Sequence, residues 1–338
     1  MSERAAEITA IEYACPQKVE TNLDLKQAYP GWDMDIVFSK TGVRQRHIAG
    51  HEECASDLAY AACTKLLARG AVPRSAIDGL IVCTESPDYV MPPNATLLQH
   101  RLGLAKSVAA FDYTLACSGY VYGLAICKAF IEAGILENIL LVTCDTYSKY
   151  IRPDDRGART LFGDAAAATL IRRGERGIGE TALATDGSGA ESFILRNRAC
   201  RNGLGPADSP APAEKFIHMD GLAILTFVKK EIPAFTRSLL SKAHVDLNAI
   251  DLFIFHQASK IALDQLRSTL GVPCHKTFSN LENLGNTVSC SIPIAIYDAW
   301  RAGKLKPGML TLLVGFGVGL SWGGALVRWT GNFMDGSA

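Results

Sequence analysis

Four short, almost uninterrupted apolar runs constrain the fold of this chain more than any other feature of its sequence. They lie at 78–84, 138–144, 251–256 and 309–316, and stretches of helical character separate them. Strands that are apolar on both faces belong to a sheet that is covered on both sides by helices. The pattern therefore predicts a layered α/β fold.

The second half of the chain repeats features of the first. Residues 75–88 resemble 248–260, because each segment has Ala-Ile-Asp before an apolar strand, at an offset of 173 positions. Residues 128–144 resemble 298–316, each with a helix end, an Ala-Gly stop and a strand, at offsets of 169 to 171. Two matches in the same order at nearly the same offset favour a duplicated α/β unit.

The duplication predicts two halves, 1–172 and 173–338, packed about a pseudo-twofold axis. At an offset of 169, Cys117 corresponds to Asn286, and we expect each of them to open the helix that follows it. His256 ends an apolar strand of the second half. Ligands of α/β sheets bind at the carboxyl ends of strands, so we expect Cys117, His256 and Asn286 to converge on a shared cleft.

The composition excludes several classes of function. The 34 acidic residues balance the 34 basic ones, and no basic tract indicates a nucleic-acid or membrane surface. The ten cysteines are scattered without a CxxC pair or a cluster at metal-ligand spacing, so we expect no metal and mostly reduced thiols packed in the core. Without a recognisable signal sequence or a run of about 18 apolar residues, a cytoplasmic location is expected.

Cys117 has the surroundings of a nucleophile. It follows a β-like run and precedes a helix-like one, with small neighbours on both sides. Unpaired N–H groups and the positive end of a helix dipole lower the pKa of a thiol at a helix N-terminus, which predicts a thiolate at neutral pH. The alternative, a small buried hydrophobic residue, fits the other cysteines better.

His256 and Asn286 complete the predicted site. Each has a simpler interpretation: His256 as a core histidine with satisfied hydrogen bonds, and Asn286 as a helix cap. Together with Cys117 they form a thiol site with two hydrogen-bond donors, which can hold a thioester carbonyl and stabilise an enolate formed by decarboxylation.

The glycine-rich segment 314–329 contains GxGxxx rather than GxGxxG and follows the last strand, so a dinucleotide cofactor is not expected. Its tight turn is interpreted either as an oxyanion hole made of backbone N–H groups or as plain packing of two strands.

Several segments resemble the β-ketoacyl-acyl carrier protein synthase III family of the thiolase superfamily. They are LACSGYVYGL, DDRGARTLFGDAAAATLI, FHQASKIAL, NLGNTVSCSIPIAI and GFGVGLSWGGALVRW, in the family's order and spacing, and TGVRQRHI extends the match to the N-terminal region. The resemblance implies a five-layered αβαβα thiolase fold built from two duplicated halves, a homodimer, and no cofactor. Its substrates would be coenzyme A thioesters, acyl carrier protein, or both.

The resemblance also implies the reaction and the residues that perform it. An acyl group passes to Cys117, and His256 and Asn286 then bind a malonyl thioester, whose decarboxylation generates the enolate that attacks the acyl-cysteine. The oxyanion donors would be the main-chain N–H groups of Cys117 and Val318. The product is a β-ketoacyl thioester.

The matching positions for substrate binding depart from the family pattern. Arg156 matches an arginine that stacks on the coenzyme A adenine, but Ile36 stands where many relatives have the partner tryptophan. We therefore expect a carrier protein rather than free coenzyme A as the acyl donor. Lys260 lies next to Ile261, which occupies the usual basic position, and is interpreted either as a shifted carrier-protein contact or as an ordinary surface charge.

Two further positions concern the acyl group. Glu85 stands where many relatives have a neutral residue, and it is interpreted as a base or substrate-binding group, or as a rim residue or helix-cap partner. Met91 matches a residue that closes the acyl pocket of the partner subunit. The departures favour a specialised, polyketide-type pathway over housekeeping fatty-acid initiation. Transfer of the acyl group to an oxygen or nitrogen nucleophile, and a non-catalytic partner subunit, remain alternative functions.

Overall fold

The computed structural model describes residues 5–196, 215–331 and 333–334. Its strands are β1 (Ala5–Ala14), β2 (Val19–Thr21), β3 (Gln45–His47), β4 (Gly79–Cys83), β5 (Ala109–Tyr113), β6 (Asn138–Asp145), β7 (Ala165–Gly174), β8 (Ile178–Thr185), β9 (Phe193–Ile194), β10 (His218–Met219), β11 (Leu252–Phe255), β12 (Leu310–Gly317) and β13 (Ser321–Arg328). Its helices are α1 (Asn22–Ala28), α2 (Met34–Thr41), α3 (Ala55–Ala68), α4 (Asn94–Arg101), α5 (Gly119–Glu132), α6 (Arg156–Arg159), α7 (Gly221–Lys242), α8 (Lys260–Leu270), α9 (Leu281–Leu284) and α10 (Ser291–Arg301). The four apolar runs are β4, β6, β11 and β12, as predicted.

Two large sheets share one strand order. The first sheet is ordered β1-β7-β6-β4-β5, and the second is ordered β11-β12-β13-β8. Read from its other end, the second sheet repeats the first four strands of the first sheet, with β8, β13, β12 and β11 in the places of β1, β7, β6 and β4. The shared order confirms the predicted duplication.

Helices cover both sheets and fill the space between them. The central helices α5 and α10 contact strands of both sheets, whereas α3 and α4 pack on the first sheet and α7 packs on the second, with α8 against it. Close contact requires glycine in α5, because a Cβ on Gly119 would lie 2.2 Å from Cys83 Sγ and one on Gly123 would lie 2.3 Å from Tyr113 Oη. The predicted αβαβα layering is confirmed.

The detailed correspondence between the halves differs from the predicted one. The 3-10 turns Ala116–Ser118 and Val288–Cys290 each precede a central helix, at an offset of 172 positions. Cys117 therefore corresponds to Ser289, and the predicted match with Asn286 is wrong. The error arises because α10 has 11 residues and α5 has 14, so an offset read at the helix ends does not hold at the helix starts.

The chain passes from the first sheet to the second between Gly174 and Ile178. The predicted boundary at 172/173 falls in the last residues of β7, and the division into two domains remains a prediction. Residues 201–214, which the sequence predicts to be a surface loop rather than part of the core, lie outside the described residues. Within the described part of the chain, no helix is long and apolar enough to cross a membrane.

The described cysteines do not all pack in the core. Besides Cys117, five are buried, but Cys15 and Cys54 are half-buried and Cys274 is exposed. The expectation of a packing role is wrong for Cys274, which lies in a 3-10 turn at the surface. The buried five are Cys63, Cys83, Cys127, Cys144 and Cys290.

Candidate active site

Cys117 lies in a tight turn between β5 and α5. Ala116 has a φ of 27°, a left-handed conformation that residues other than glycine rarely adopt. Ser118 follows Cys117 and its hydroxyl is 2.7 Å from the Ser321 hydroxyl of β13, which ties the turn to the second sheet. The predicted strand-to-helix turn is confirmed, and the cysteine in it is buried.

The glycines of β12 allow the second sheet to touch the nucleophile turn. A Cβ on Gly317 would lie 2.7 Å from Cys117 Cβ and 2.9 Å from Cys117 Sγ. One on Gly315 would lie 2.9 Å from the Cys117 carbonyl oxygen. The chain then turns towards β13, and the main-chain N–H groups of Val318 and of Cys117 itself act on the thiol to lower its pKa.

The thiol of Cys117 is harder to ionise than the sequence predicts. Burial raises its pKa above the ordinary value, and the nearby carboxyl groups of Asp145 and Glu85 raise the pKa further. The N–H groups of Val318 and Cys117 lower it, but by less. The prediction of a thiolate at neutral pH is wrong for this structure, because desolvation outweighs the hydrogen bonds at the turn.

His256 follows β11 directly. Its main-chain N–H donates to the Val314 carbonyl at 2.8 Å, so the neighbouring strand fixes its backbone. Its Nδ1 lies 2.7 Å from the hydroxyl of Ser291, the first residue of α10. Burial lowers the pKa of His256 to about 3, so the imidazole is neutral at physiological pH. Sequence reasoning missed Ser291, although its place at the start of the repeated central helix was a usable signal.

Asn286 is held by its backbone in the loop before the Val288–Cys290 turn. Its N–H donates to the Leu161 carbonyl at 2.9 Å, and its carbonyl accepts from the Gly163 N–H at 3.0 Å. Its Oδ1 accepts from the Val288 N–H at 2.9 Å, which directs Nδ2 to a position 3.3 Å from His256 Nε2. The side chain therefore presents its NH₂ group beside the imidazole. It is not the N-cap of α10, which is Cys290.

One cavity brings the three predicted residues together. It has a volume of about 120 Å³ and is lined by Cys117, His256 and Asn286 among mainly apolar side chains, including Phe162 and Phe193. An apolar cavity strengthens hydrogen bonds to a developing negative charge.

Glu85 lies beside this cavity but does not line it. Its Oε1 accepts from the Ala116 N–H at 2.9 Å, and its own N–H donates to Asp145 Oδ1 at 2.8 Å. Asp145 is fully buried and also accepts from the N–H and hydroxyl of Ser289, so it joins the corresponding turns of the two halves. Burial raises the pKa of Asp145 to about 7. Sequence reasoning missed Asp145, which ends an ordinary apolar strand.

The remaining predicted residues lie at the surface and do not line the cavity. Ile36 is exposed on α2, and Arg156 is exposed at the start of α6. Lys260 forms an ion pair with Asp264 one turn along α8. Met91 is 79% exposed in the loop between β4 and α4. Their binding roles remain predictions.

The comparisons with known proteins agree with this geometry. Residues 111–187 match the model of 3-oxoacyl-[acyl-carrier-protein] synthase III, and residues 240–329 match that of its C-terminal region. A β-ketoacyl-[acyl-carrier-protein] synthase III of Desulfitobacterium hafniense (strain Y51) is 37% identical over 93% of this chain and 95% of its own length.

Solved structures give the same result. A 3-oxoacyl-(acyl-carrier-protein) synthase III superimposes with a TM-score of 0.92 at 41% identity, covering 96% of this chain and 100% of its own. The priming β-ketosynthase of the R1128 polyketide pathway has a TM-score of 0.87 at 26% identity, covering 97% and 98%.

A duplicated αβαβα fold with a buried cysteine, histidine and asparagine in one cavity defines a thiolase-fold acyltransferase. More narrowly, the chain belongs to the β-ketoacyl-[acyl-carrier-protein] synthase III family.

Proposed function

We propose that this chain transfers an acyl group to Cys117 and condenses it with a malonyl thioester to give a β-ketoacyl product. One observation carries the proposal: Cys117, His256 and Asn286 line a single apolar cavity. The family to which the chain belongs supports the same reaction.

In the first step, Cys117 Sγ attacks the carbonyl carbon of an acyl thioester. The N–H groups of Cys117 and Val318 serve as donors to the oxyanion of the tetrahedral intermediate. The carbon–sulfur bond to the donor then breaks, and the departing thiolate takes up the proton that Cys117 gave up on attack. Because burial raises the pKa of Cys117, the free thiol stays protonated until a donor arrives.

In the second step, the malonyl thioester carbonyl accepts hydrogen bonds from His256 and Asn286. A Ser291 hydroxyl that donates to His256 Nδ1 leaves the imidazole proton on Nε2, next to Asn286 Nδ2. Carbon dioxide leaves, its bonding electrons form the enolate, and the enolate carbon attacks the acyl-cysteine. Collapse of the intermediate expels the Cys117 thiolate. Two uncharged donors suit this step because they stabilise the enolate oxygen without protonating it.

The partners follow from the same proposal. An acyl carrier protein is the favoured acyl donor because Ile36 provides no aromatic ring for the adenine of coenzyme A. Met91, together with the exposed Tyr89 and Val90, forms a strongly exposed apolar loop, which supports a homodimer in which this loop covers the partner's acyl site. A specialised pathway, the absence of a cofactor and a cytoplasmic location remain predictions from the sequence.

Intact-protein mass spectrometry tests the proposal. Wild type, Cys117→Ala and His256→Ala are incubated with acyl-coenzyme A and acyl-carrier-protein donors, and malonyl-carrier protein is then added. We expect an adduct that requires Cys117 and disappears as a β-ketoacyl product forms. Cys274→Ala, which removes an exposed cysteine that does not line the cavity of Cys117, is the matched control and should load like wild type.

The outcomes separate the alternative functions. His256→Ala should still load but release carbon dioxide about 100- to 1,000-fold more slowly, the usual effect of removing one such donor. An adduct that malonyl-carrier protein does not discharge would instead indicate acyl transfer to an oxygen or nitrogen nucleophile. If no donor gives an adduct, the partner-subunit interpretation replaces the proposal.

A further inference from the structure

The position of Asn286 depends on a neighbouring segment of the chain, residues 160–163. The Asn286 N–H donates to the Leu161 carbonyl at 2.9 Å, and the Asn286 carbonyl accepts from the Gly163 N–H at 3.0 Å. These two bonds form an isolated β-bridge between Asn286 and Phe162. Because no further strand pairs flank a single bridge, its geometry depends on the side chains that pack against it.

The side chain of Arg46, in β3, packs against both sides of this bridge. A Cβ on Gly163 would lie 3.2 Å from Arg46 Cβ, and one on Gly285 would lie 3.4 Å from it. Gly163 follows Phe162 in the chain, and Gly285 precedes Asn286. Arg46 is therefore in close contact with the backbone that carries the Asn286 amide.

Arg46 and β3 also hold the segment 160–163 by hydrogen bonds. Arg46 Nη2 donates to the Thr160 carbonyl at 3.1 Å. The carbonyl of the next residue in β3, His47, accepts from the Asp164 N–H at 2.9 Å. The segment is thus fixed at its first residue and directly after its last one.

The burial of Arg46 is unfavourable for stability. Arg46 is fully buried, and burial lowers its pKa to about 10, so its guanidinium is still charged at neutral pH. Nη2 also donates to Asn22 Oδ1, but Nε and Nη1 have no hydrogen-bond partner among the described residues. A buried charge with unpaired donors destabilises a fold, and an apolar side chain of similar length would fill the same space without this penalty. Stability alone therefore does not explain an arginine at this position.

We infer that Arg46 is a positioning residue for Asn286: by holding the segment 160–163, it keeps the Asn286 amide where the malonyl carbonyl binds. This inference rests on the proposed function and adds a residue to its second step. Arg46 itself does not line the cavity, so it acts only through Asn286.

The two steps of the reaction should depend on Arg46 to different extents. The turn that carries Cys117 is held by Glu85 and by Ser321 of β13 instead. Loss of Arg46 should therefore leave the loading of Cys117 unchanged. It should slow the malonyl step, because a displaced Asn286 donates poorly to the developing enolate oxygen.

The test measures the two steps separately. Wild type and Arg46→Met are loaded at Cys117 with acetyl- or butyryl-carrier protein, and intact-protein mass spectrometry gives the loading rate. The acyl-enzymes are then mixed with malonyl-carrier protein at several concentrations, and carbon dioxide release gives a maximal rate and a half-saturating concentration. Arg46→Met should lower the maximal rate roughly tenfold to 100-fold, the effect of a displacement of up to about 1 Å. The half-saturating concentration should change much less, and the loading rate should match wild type.

Arg69→Met is the matched control, because Arg69 is also mostly buried but pairs with Glu12. It should keep the wild-type rates of both steps. Arg46→Lys should recover part of the lost rate, because an ammonium group can donate to the same carbonyl. Asn22→Ala, which removes the other acceptor of Arg46 Nη2, should slow only carbon dioxide release, by less than Arg46→Met does.

Circular dichroism gives the folded fraction, and each rate is expressed per folded molecule. A wild-type rate of carbon dioxide release in Arg46→Met, or equal losses in both steps, overturns the inference and leaves the proposed function standing. If Arg46→Met does not fold, wild-type carbon dioxide release in both Arg46→Lys and Asn22→Ala overturns it. If wild type itself loads from no donor, or loads but releases no carbon dioxide from malonyl-carrier protein, the proposed function fails and the inference fails with it.

Discussion

Replacing Gly317 with alanine tests how closely the second sheet must approach the nucleophile. The new Cβ would lie 2.7 Å from Cys117 Cβ and 2.9 Å from Cys117 Sγ. Carbon atoms in contact prefer about 3.5 to 4.0 Å, so the cysteine side chain must move by about 1 Å. Neither neighbour is the flexible end of a long side chain, and Gly317 is paired with Ser321 of β13.

A displacement of about 1 Å at a reacting atom lowers a rate roughly 100-fold, and overpacking of a core lowers the free energy of unfolding by about 1 to 3 kcal/mol. We expect Gly317→Ala to show both effects. The assays are the rate of Cys117 acylation by intact-protein mass spectrometry and urea unfolding. The adjacent Val318 N–H would move with the strand, which adds to the loss of rate.

Gly187→Ala is the control, because a Cβ at Gly187 meets no atom within 4 Å. It should match wild type in both assays. The reasoning is refuted if Gly317→Ala acylates at the wild-type rate per folded molecule. In that case the glycine would serve strand packing alone.

Three further predictions concern the buried groups of the site. Burial lowers the pKa of His256 from 6.5 to about 3, so the unfolded chain binds the proton more tightly than the folded chain does. The free energy of unfolding therefore rises with pH between about 3 and 6.5, by a total on the order of 5 kcal/mol. His256→Gln should remove that part of the pH dependence of urea unfolding, and identical curves for the two proteins would contradict the pKa direction. For Asp145, burial raises the pKa from 3.8 to about 7, so its contribution to stability falls as pH rises between these values. Asp145→Asn should flatten the pH dependence of unfolding between these values. Because Asp145 raises the pKa of Cys117, the variant should also shift the pH midpoint of Cys117 alkylation downward. An unchanged midpoint would exclude the influence of Asp145 on the Cys117 thiol. Ser291→Ala removes the partner of His256 Nδ1 and should slow carbon dioxide release about five- to tenfold without changing Cys117 loading, whereas equal loss in both steps would indicate a general structural defect.

The sequence by itself determined four central strands, the layered architecture, the duplication and the family. Apolar runs, Ala-Gly stops and strand-to-helix turns are local features, and a strand that is apolar on both faces has few alternatives to a covered sheet. The same reasoning selected Cys117, His256 and Asn286, which line one cavity in the structure. Their convergence was predictable because strand ends in such folds meet at common edges.

Only the tertiary structure decided which residues of the two halves correspond to each other, and only it decided the electrostatics of the site. Three residues fewer in α10 were enough to shift the correspondence of Cys117 from Asn286 to Ser289. The pKa of Cys117 depends on desolvation by side chains far along the chain and on Asp145 and Glu85, none of which a local pattern reveals. The same holds for the contact between Ser291 and His256, because a hydrogen bond depends on distances that only packing sets.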